Sequence, residues 1–287
     1  MARYAYVNGR YIPHGDAAVH IEDRGYQFAD GVYEVVTVLN GRLVDEEGHM
    51  KRLERSLKEL RIAMPTSAQI ISMIARELVA KNGLRNGLVY MQVTRGVAPR
   101  NHAFPKDVKP ALVMTTKRIA FEGQKKFTQG VPVITVADIR WRRRDIKTTS
   151  LLPNCLAKQA AEEAGAYEAW LVEDGCVTEG SSSNAWIITK DNVLVTRAPA
   201  HEILNGITRQ TILKLAAEEG VTFEERPFTV EEAYNAKEAF VSSATSFVTP
   251  VVSIDGRPVG NGGVGTVASK LLEAYQDYAA GRRGQAA

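Results

Sequence analysis

Three groups of residues have the types and spacing to do chemistry. Lys147 follows the apolar run "VPVITVADI" and the arginine cluster "RWRRR", and precedes "TTSLLPN". An amine held inside a domain is costly unless it is paired or used as a nucleophile or base, although most lysines are solvated surface groups. Glu179, in "GCVTEGSSSNAW", sits between a β-prone run and a serine-rich turn. It reads either as a buried acid or as an ordinary turn residue. The stretch "LNGITRQTIL" places Gly206, Ile207 and Thr208 at the start of an amphipathic helix. The first N–H groups of a helix lack intrahelical partners and make a natural phosphate site; the alternative is a simple threonine cap.

Other chemistries lack support. "GNGGVG" (260–265) has the spacing of a dinucleotide fingerprint, but only 22 residues follow it, too few for the βαβ unit and acidic residue that the fingerprint needs. No H-E-x-x-H motif occurs among the five histidines, and "EGSSSN" is not G-x-S-x-G, so neither a zinc site nor a serine hydrolase is indicated and no metal is expected. Four arginines in the five positions 140–144 raise a polyanion-binding alternative, a non-enzymatic one. The balance of 36 basic and 33 acidic residues, net +3, argues against nucleic acid as a partner. Alternation with Trp141 at a strand end would also point these side chains to both faces, a poor track for phosphates.

The elements that must position the three groups are short and mixed. A composition with 45% apolar and 24% charged residues over 287 positions suits a soluble chain of two ordinary domains. "YAYVNGRYI" (4–12) reads as a hairpin around Asn8-Gly9, 46–62 and 67–83 as amphipathic helices, and 88–96 and 111–116 as strands. Within the polar stretch 117–130 the pattern changes, which divides the chain into a small N-terminal domain, 1–120, and a larger C-terminal domain, 121–287. The second half carries strands near 168–173, 184–189 and 238–243, with helices near 154–164, 208–220, 229–236 and 266–279. This is an α+β pattern. Two cysteines, Cys155 and Cys176, are too few for a disulfide framework; no apolar leader or membrane-length run is present, and the expectation is a cytoplasmic protein with no membrane partner.

A lysine amine, a buried acid and a phosphate cradle at a helix N-terminus are the parts of a pyridoxal 5'-phosphate site. Together with "EDRGYQFADGVYEVV" (22–36), "RWRRRDIKTTSLLPN", "VTEGSSSNAW" and "LNGITRQ", they make the chain resemble the fold-type IV pyridoxal phosphate enzymes, and among these the D-amino acid aminotransferases, over essentially its whole length. The resemblance implies that Lys147 is the Schiff-base lysine and the proton-moving base. Glu179 would then be the partner of the pyridine nitrogen, and Leu204 the apolar residue against the ring. It assigns the phosphate to Arg52, Ile207, Thr208 and the turn Ser243, Ala244, Thr245. It assigns the substrate carboxylate to Tyr33, Arg100 and His102, the last two as an R-x-H pair.

The resemblance also implies ping-pong transfer of the amino group of a D-amino acid of the D-alanine type to a 2-oxo acid such as 2-oxoglutarate. Small amino acids and 2-oxo acids are the expected partners, in a homodimer with the active site at the interface and the R-x-H pair supplied by the neighbouring chain. The alternatives on the same fold are a branched-chain aminotransferase, an (R)-amine transaminase and an aminodeoxychorismate lyase; the discriminating feature is the R-x-H element, which the resemblance implies is lacking in the branched-chain enzymes and the lyases. One departure stands out: the turn that reads Ser-Thr-Thr-Ser-Glu in the nearest family members reads Ser243-Ala244-Thr245-Ser246-Phe247 here.

Overall fold

The computed structural model describes residues 3–283. The chain divides into two compact units, one formed by Met1–Glu122 with Ile146–Ser150, the other by Gly123–Asp145 with Leu151–Ala287. The sequence division at 120/121 assigns 146–150 to the second domain, whereas the backbone of this segment pairs with the first unit: Tyr33 N–H donates to the Lys147 carbonyl (3.0 Å) and Thr149 N–H to the Gly31 carbonyl (3.0 Å).

The first unit is an antiparallel sheet of six strands in the order Arg10–Pro13, Tyr4–Val7, Ala111–Arg118, Gly87–Thr94, Gly31–Leu39, Arg42–Leu43. The hairpin at Asn8-Gly9 forms as the sequence predicts, with both residues at positive φ (46° and 94°), as a tight two-residue connection requires. Helices Glu46–Glu59 and Ala68–Lys81 supply Leu53, Leu57, Ile71 and Leu78 to a core shared with Val32, Val36, Val89 and Met91. Ser67 caps the second of these helices by accepting from Ile70 N–H. The longest strand, Gly31–Leu39, escapes a periodicity reading, because seven of its nine positions are valine, leucine, tyrosine or glycine and no polar–apolar alternation marks it. It nonetheless has two faces: Val32, Glu34, Val36 and Val38 are fully buried, while Tyr33 and Val35 turn the other way.

The second unit carries a mixed sheet in the order Phe223–Glu225, Leu194–Thr196, Asn184–Ile188, Glu238–Ser243, Phe247–Ile254, Val131–Ala137, Glu168–Glu173, Cys176–Gly180, Phe228–Thr229, with Arg257–Pro258 paired off the path. Val131–Ala137 runs parallel to Phe247–Ile254 and to Glu168–Glu173, and helix Leu152–Glu163 lies in the latter connection. Helices Ile207–Glu218 and Thr266–Ala279 pack on this sheet, the latter following the glycine-rich turn at 260–265. Trp170, Phe228, Val241 and Val251 lie in its core. The arginine cluster is a correction to the reading above: the strand ends at Ala137, so 140–144 is a loop with no alternation of faces. Strand Phe247–Ile254 is a second element not anticipated from the sequence, since Pro250 interrupts its β signal.

Candidate functional site

Lys147 is anchored through its backbone. Its carbonyl accepts from Tyr33 N–H, its own N–H donates to Ser56 Oγ (3.4 Å), and the neighbouring Ile146 is buried in the core. The Nζ atom stands 4.2 Å from the centroid of the Tyr33 ring, and among the described residues no carboxylate pairs with it. Tyr33 in turn stacks on Tyr90 (5.7 Å between centroids, 28° between planes). Tyr90, which the sequence reading did not single out, donates to Gln92 Oε1 (2.6 Å), and burial pushes its phenol up to about 12.

Arg52 reaches the opposite face of the same strand. Its Nε and one Nη bind the two oxygens of Glu34 at 2.7 Å each, and His49 Nδ1 lies 2.7 Å from the second oxygen. Glu34 is fully buried; burial works to raise its carboxyl, yet Arg52 and then His49 overcome this and hold it at about 2. The expected phosphate ligand thus has a bidentate partner whose charge it neutralises, and a carboxylate on this strand fixes where its guanidinium plane lies.

Arg100 and His102 are exposed and converge on Phe28, the guanidinium 4.6 Å and the imidazole 5.4 Å from its ring centroid. Among the described residues no hydrogen bond or ring contact joins either of them to Tyr33. Their loop is held from below by a residue type that the motif reading passed over: buried Arg24 donates to the carbonyls of Asn101 (2.5 Å) and His102 (3.5 Å) and pairs with Asp30 (2.8 Å). Asp30 also binds Arg95 at 2.7 and 3.0 Å. The "EDRGYQFAD" segment therefore matters through Arg24, Phe28 and Asp30, which place the R-x-H loop.

In the second unit Glu179 is a buried acid, not an exposed turn residue. It accepts from Asn184 Nδ2 (3.0 Å), from the Leu204 N–H (3.2 Å) and from Arg140 (2.5 Å). Burial works to lower the Arg140 guanidinium, but Glu179 and Asp138 raise it well above its ordinary value. Arg140 is therefore a permanent cation. Arg144 binds Glu173 through two N–H groups (2.7 and 2.9 Å), and Arg143 binds Asp145 (3.0 and 3.1 Å). Three of the four clustered arginines are thus committed to carboxylates of their own unit, which disposes of a continuous polyanion track. The serines of "EGSSSN" are equally committed: Ser181, Ser182 and Ser183 all donate to buried Glu168.

Asn184 ties the acid to the helix. Its Nδ2 also donates to the Leu204 carbonyl (3.0 Å), and its Oδ1 lies 2.2 Å from where a Cβ on Gly206 would stand. Only glycine fits there, and glycine brings no capping side chain, so the first turn of Ile207–Glu218 begins without a side-chain cap. Thr208 lies inside the helix rather than at its cap; its hydroxyl is 3.5 Å from the Tyr275 hydroxyl. The turn Ser243-Ala244-Thr245 is a tight connection between paired strands, with Ser246 N–H donating to Ser243 Oγ (3.1 Å). Phe247, at φ 52°, is buried and packs on Phe127 (6.0 Å) and Tyr275 (5.3 Å). The aromatic at this position belongs to the core.

Residues 31–254 match the model of the amino-transferase class IV family. The chain is 44% identical to D-alanine aminotransferase of Bacillus licheniformis across 94% of this chain and 95% of the relative. It is 45% identical to D-alanine aminotransferase of Listeria monocytogenes serotype 4b across 94% and 93%. Among solved structures, the branched-chain amino acid aminotransferase of Escherichia coli superposes with a TM-score of 0.92 at 25% identity, covering 99% of this chain and 97% of that one. A second branched-chain amino acid aminotransferase, the T.th. enzyme solved with pyridoxamine 5'-phosphate, also gives 0.92, at 26% identity, covering 99% and 96%.

Proposed function

Because the chain belongs to the class IV aminotransferases and is a pyridoxal phosphate-dependent transaminase, we propose that it transfers the amino group of D-amino acids, D-alanine among them, to a 2-oxo acid such as 2-oxoglutarate. The observation that carries the choice of substrate is the contrast in identity: 44 and 45% to D-alanine aminotransferases over nearly the full length, against 25 and 26% to branched-chain enzymes of the same fold.

The residues fit the cofactor. Lys147 offers an amine that no carboxylate among the described residues neutralises, Glu179 offers a desolvated acid, and Gly206 leaves the first turn of a helix without a side-chain cap. In this reading Lys147 would bond the cofactor, Glu179 would partner its ring nitrogen and Leu204 would be the apolar residue against the ring. Arg52, the N–H groups of Ile207 and Thr208, and the turn Ser243, Ala244, Thr245 receive its phosphate. The bound group supplies a conjugated electron sink for the substrate's α-carbon. Lys147, once released, takes the α-proton as general base and returns it from the same face. Glu179 is held in place by Arg140, Asn184 and the Leu204 N–H, so its orientation does not depend on the ligand. Arg100, His102 and Tyr33 grip the substrate carboxylate; what supports this is the rigid seating of the R-x-H loop by Arg24 and the ring contact between Tyr33 and Lys147.

We also infer a homodimer whose partner supplies the R-x-H pair. The exposure of Arg100 and His102, which stand against Phe28, supports that assignment. Cys155 and Cys176 are both free, which suits a cytoplasmic setting, and no helix among the described residues is long and apolar enough to cross a membrane.

An absorption spectrum tests the reading. The visible absorption band of the cofactor bound to the chain should disappear on adding D-alanine and persist with L-alanine. Bleaching by branched-chain L-amino acids alone would favour the branched-chain alternative.

A further inference from the structure

One amine outside the transaminase machinery is placed to react. Lys126, on the short helix Lys125–Gln129, is half-buried; its Nζ donates to the Thr245 carbonyl (3.3 Å) and to the Tyr167 hydroxyl (3.4 Å). It lies 4.9 Å from the centroid of the Phe127 ring and 5.6 Å from that of Tyr167. Every acceptor it meets is neutral, and among the described residues no carboxylate pairs with it. A second cation faces the same aromatic ring: Lys158, on helix Leu152–Glu163, stands 4.8 Å from the Tyr167 centroid and donates to the Tyr167 carbonyl. The adjacent acid, Glu168, is fully buried and committed to Ser181, Ser182 and Ser183. Two lysines around one tyrosine, with no acid balancing them among the described residues, attract a small anion and disfavour the charged form of the more buried amine.

We propose that Lys126 is a modification site for small acyl phosphates, and that its acylation removes the cation fastened to the Ser243–Thr245 turn. The neutral Nζ attacks the acyl carbonyl carbon; an amide C–N bond forms as the C–O bond to phosphorus breaks. Inorganic phosphate leaves with the electron pair, and the amine proton passes to water. Burial and then Lys158 lower the Lys126 ammonium to about 8, so near pH 8 about half of it is free amine, against well under 1% for an ordinary lysine near 10.4. An acyl phosphate is the matching donor because its own negative charge is drawn to the Lys158 ammonium, which stays beside Lys126 when the latter is neutral, whereas a neutral donor gains nothing from it.

The consequence for function rests on reading Ser243–Thr245 as a phosphate-binding turn. Lys126 holds the Thr245 carbonyl, and Tyr167 holds Ser246 Oγ (2.9 Å). An acetamide would keep a donor to the Thr245 carbonyl but lose the charge held against that turn.

The test is incubation of the holoenzyme with acetyl phosphate between pH 7 and 9, with site-resolved acetylation read by peptide mass spectrometry. Lys51 is the reference: it is exposed, and Glu47 raises its ammonium. At pH 8, Lys126 should acetylate on the order of tenfold faster than Lys51, levelling off above about pH 8 while Lys51 continues to rise. Lys158→Met should slow Lys126 and move its profile to higher pH. Lys126 no faster than Lys51 overturns the site, as does an unchanged profile in Lys158→Met. Separately, the full chain carrying Lys126→Gln should hold pyridoxal phosphate more weakly while its hold on pyridoxal, which lacks the phosphate, is unchanged; Lys126→Arg should behave as wild type. Selective acetylation with unaltered pyridoxal phosphate affinity in Lys126→Gln overturns the link to the turn, and leaves the reactivity of Lys126 standing.

Discussion

Lys147 and Arg100 carry the sharpest predictions at the level of single residues. Lys147→Ala should abolish D-alanine to 2-oxoglutarate transamination while leaving thermal unfolding near wild type, because the segment is held by backbone bonds to Gly31, Tyr33 and Ser56 and not by the amine. Appreciable residual turnover would remove Lys147 from its assigned role. Arg100 is exposed, with its guanidinium over the Phe28 ring, so its loss should leave the fold intact. If it grips the substrate carboxylate, truncating a charge-assisted contact costs about 2–5 kcal/mol, and Arg100→Ala should lower kcat/KM for D-alanine roughly 30- to 5,000-fold. An (R)-amine without a carboxylate should lose far less. Comparable losses for both substrates would show that the arginine is structural.

At the level of elements, the informative junction is the loop that leads into helix Ile207–Glu218. Glu179, Asn184 and Leu204 form one hydrogen-bonded knot, and Gly206 leaves no room for a side chain beside Asn184. Gly206 has an ordinary φ of −61°, so the requirement comes from close approach and not from backbone freedom. Gly206→Ala should push Asn184 away and shift both the acid and the helix end. The expected outcome is weaker retention of pyridoxal phosphate, measured by its release on dialysis, together with a slower half-reaction by stopped flow. Loss of stability with both readouts unchanged per folded molecule would mean that the knot has no part in holding the cofactor. The longer helix spans were readable from 3.6-residue periodicity because they pack an apolar stripe on a sheet, whereas the five-residue helices Arg24–Phe28 and Lys125–Gln129 are too short to show a period. The strands Gly31–Leu39 and Phe247–Ile254 were not, because Tyr33, Val35 and Leu39 make the less buried face of the first apolar as well, which hides the alternation, and Pro250 masks the second.

For the molecule as a whole, acid stability should report the buried ion cluster of the first unit. Glu34 has a folded-state value of about 2 against an ordinary 4.5, so protonation is disfavoured in the fold. Its contribution is fully present above pH 4.5 and is lost as the pH falls toward 2. Glu34→Gln should therefore unfold at a lower temperature at neutral pH and lose less on acidification through that window than wild type. The measurement is Tm by circular dichroism from pH 7 to 2; parallel curves for the two proteins would show that Glu34 does not titrate with unfolding. The same cluster orients Arg52, so the variant also separates the fold's need for the arginine from the cofactor's.

Chemistry and periodicity were legible in the order of residues. A lysine, an acid and an uncapped helix start are set by residue type and local spacing, and so are hairpins at Asn-Gly and helices with one apolar stripe. Periodicity carried the α+β class, and the resemblance of four segments to a known family carried the family and the cofactor. The partner that each group meets came from folding instead. Arg52 faces Glu34, Arg140 is bound to Glu179, the serines of "EGSSSN" belong to Glu168, and Phe247 closes on Phe127 and Tyr275. Arg24 reaches the carbonyls of Asn101 and His102 across 77 and 78 positions of sequence. Hydrogen bonds and desolvation act over a few ångströms of space whatever the separation along the chain, and no local pattern encodes a partner that folding brings from the far side of a sheet.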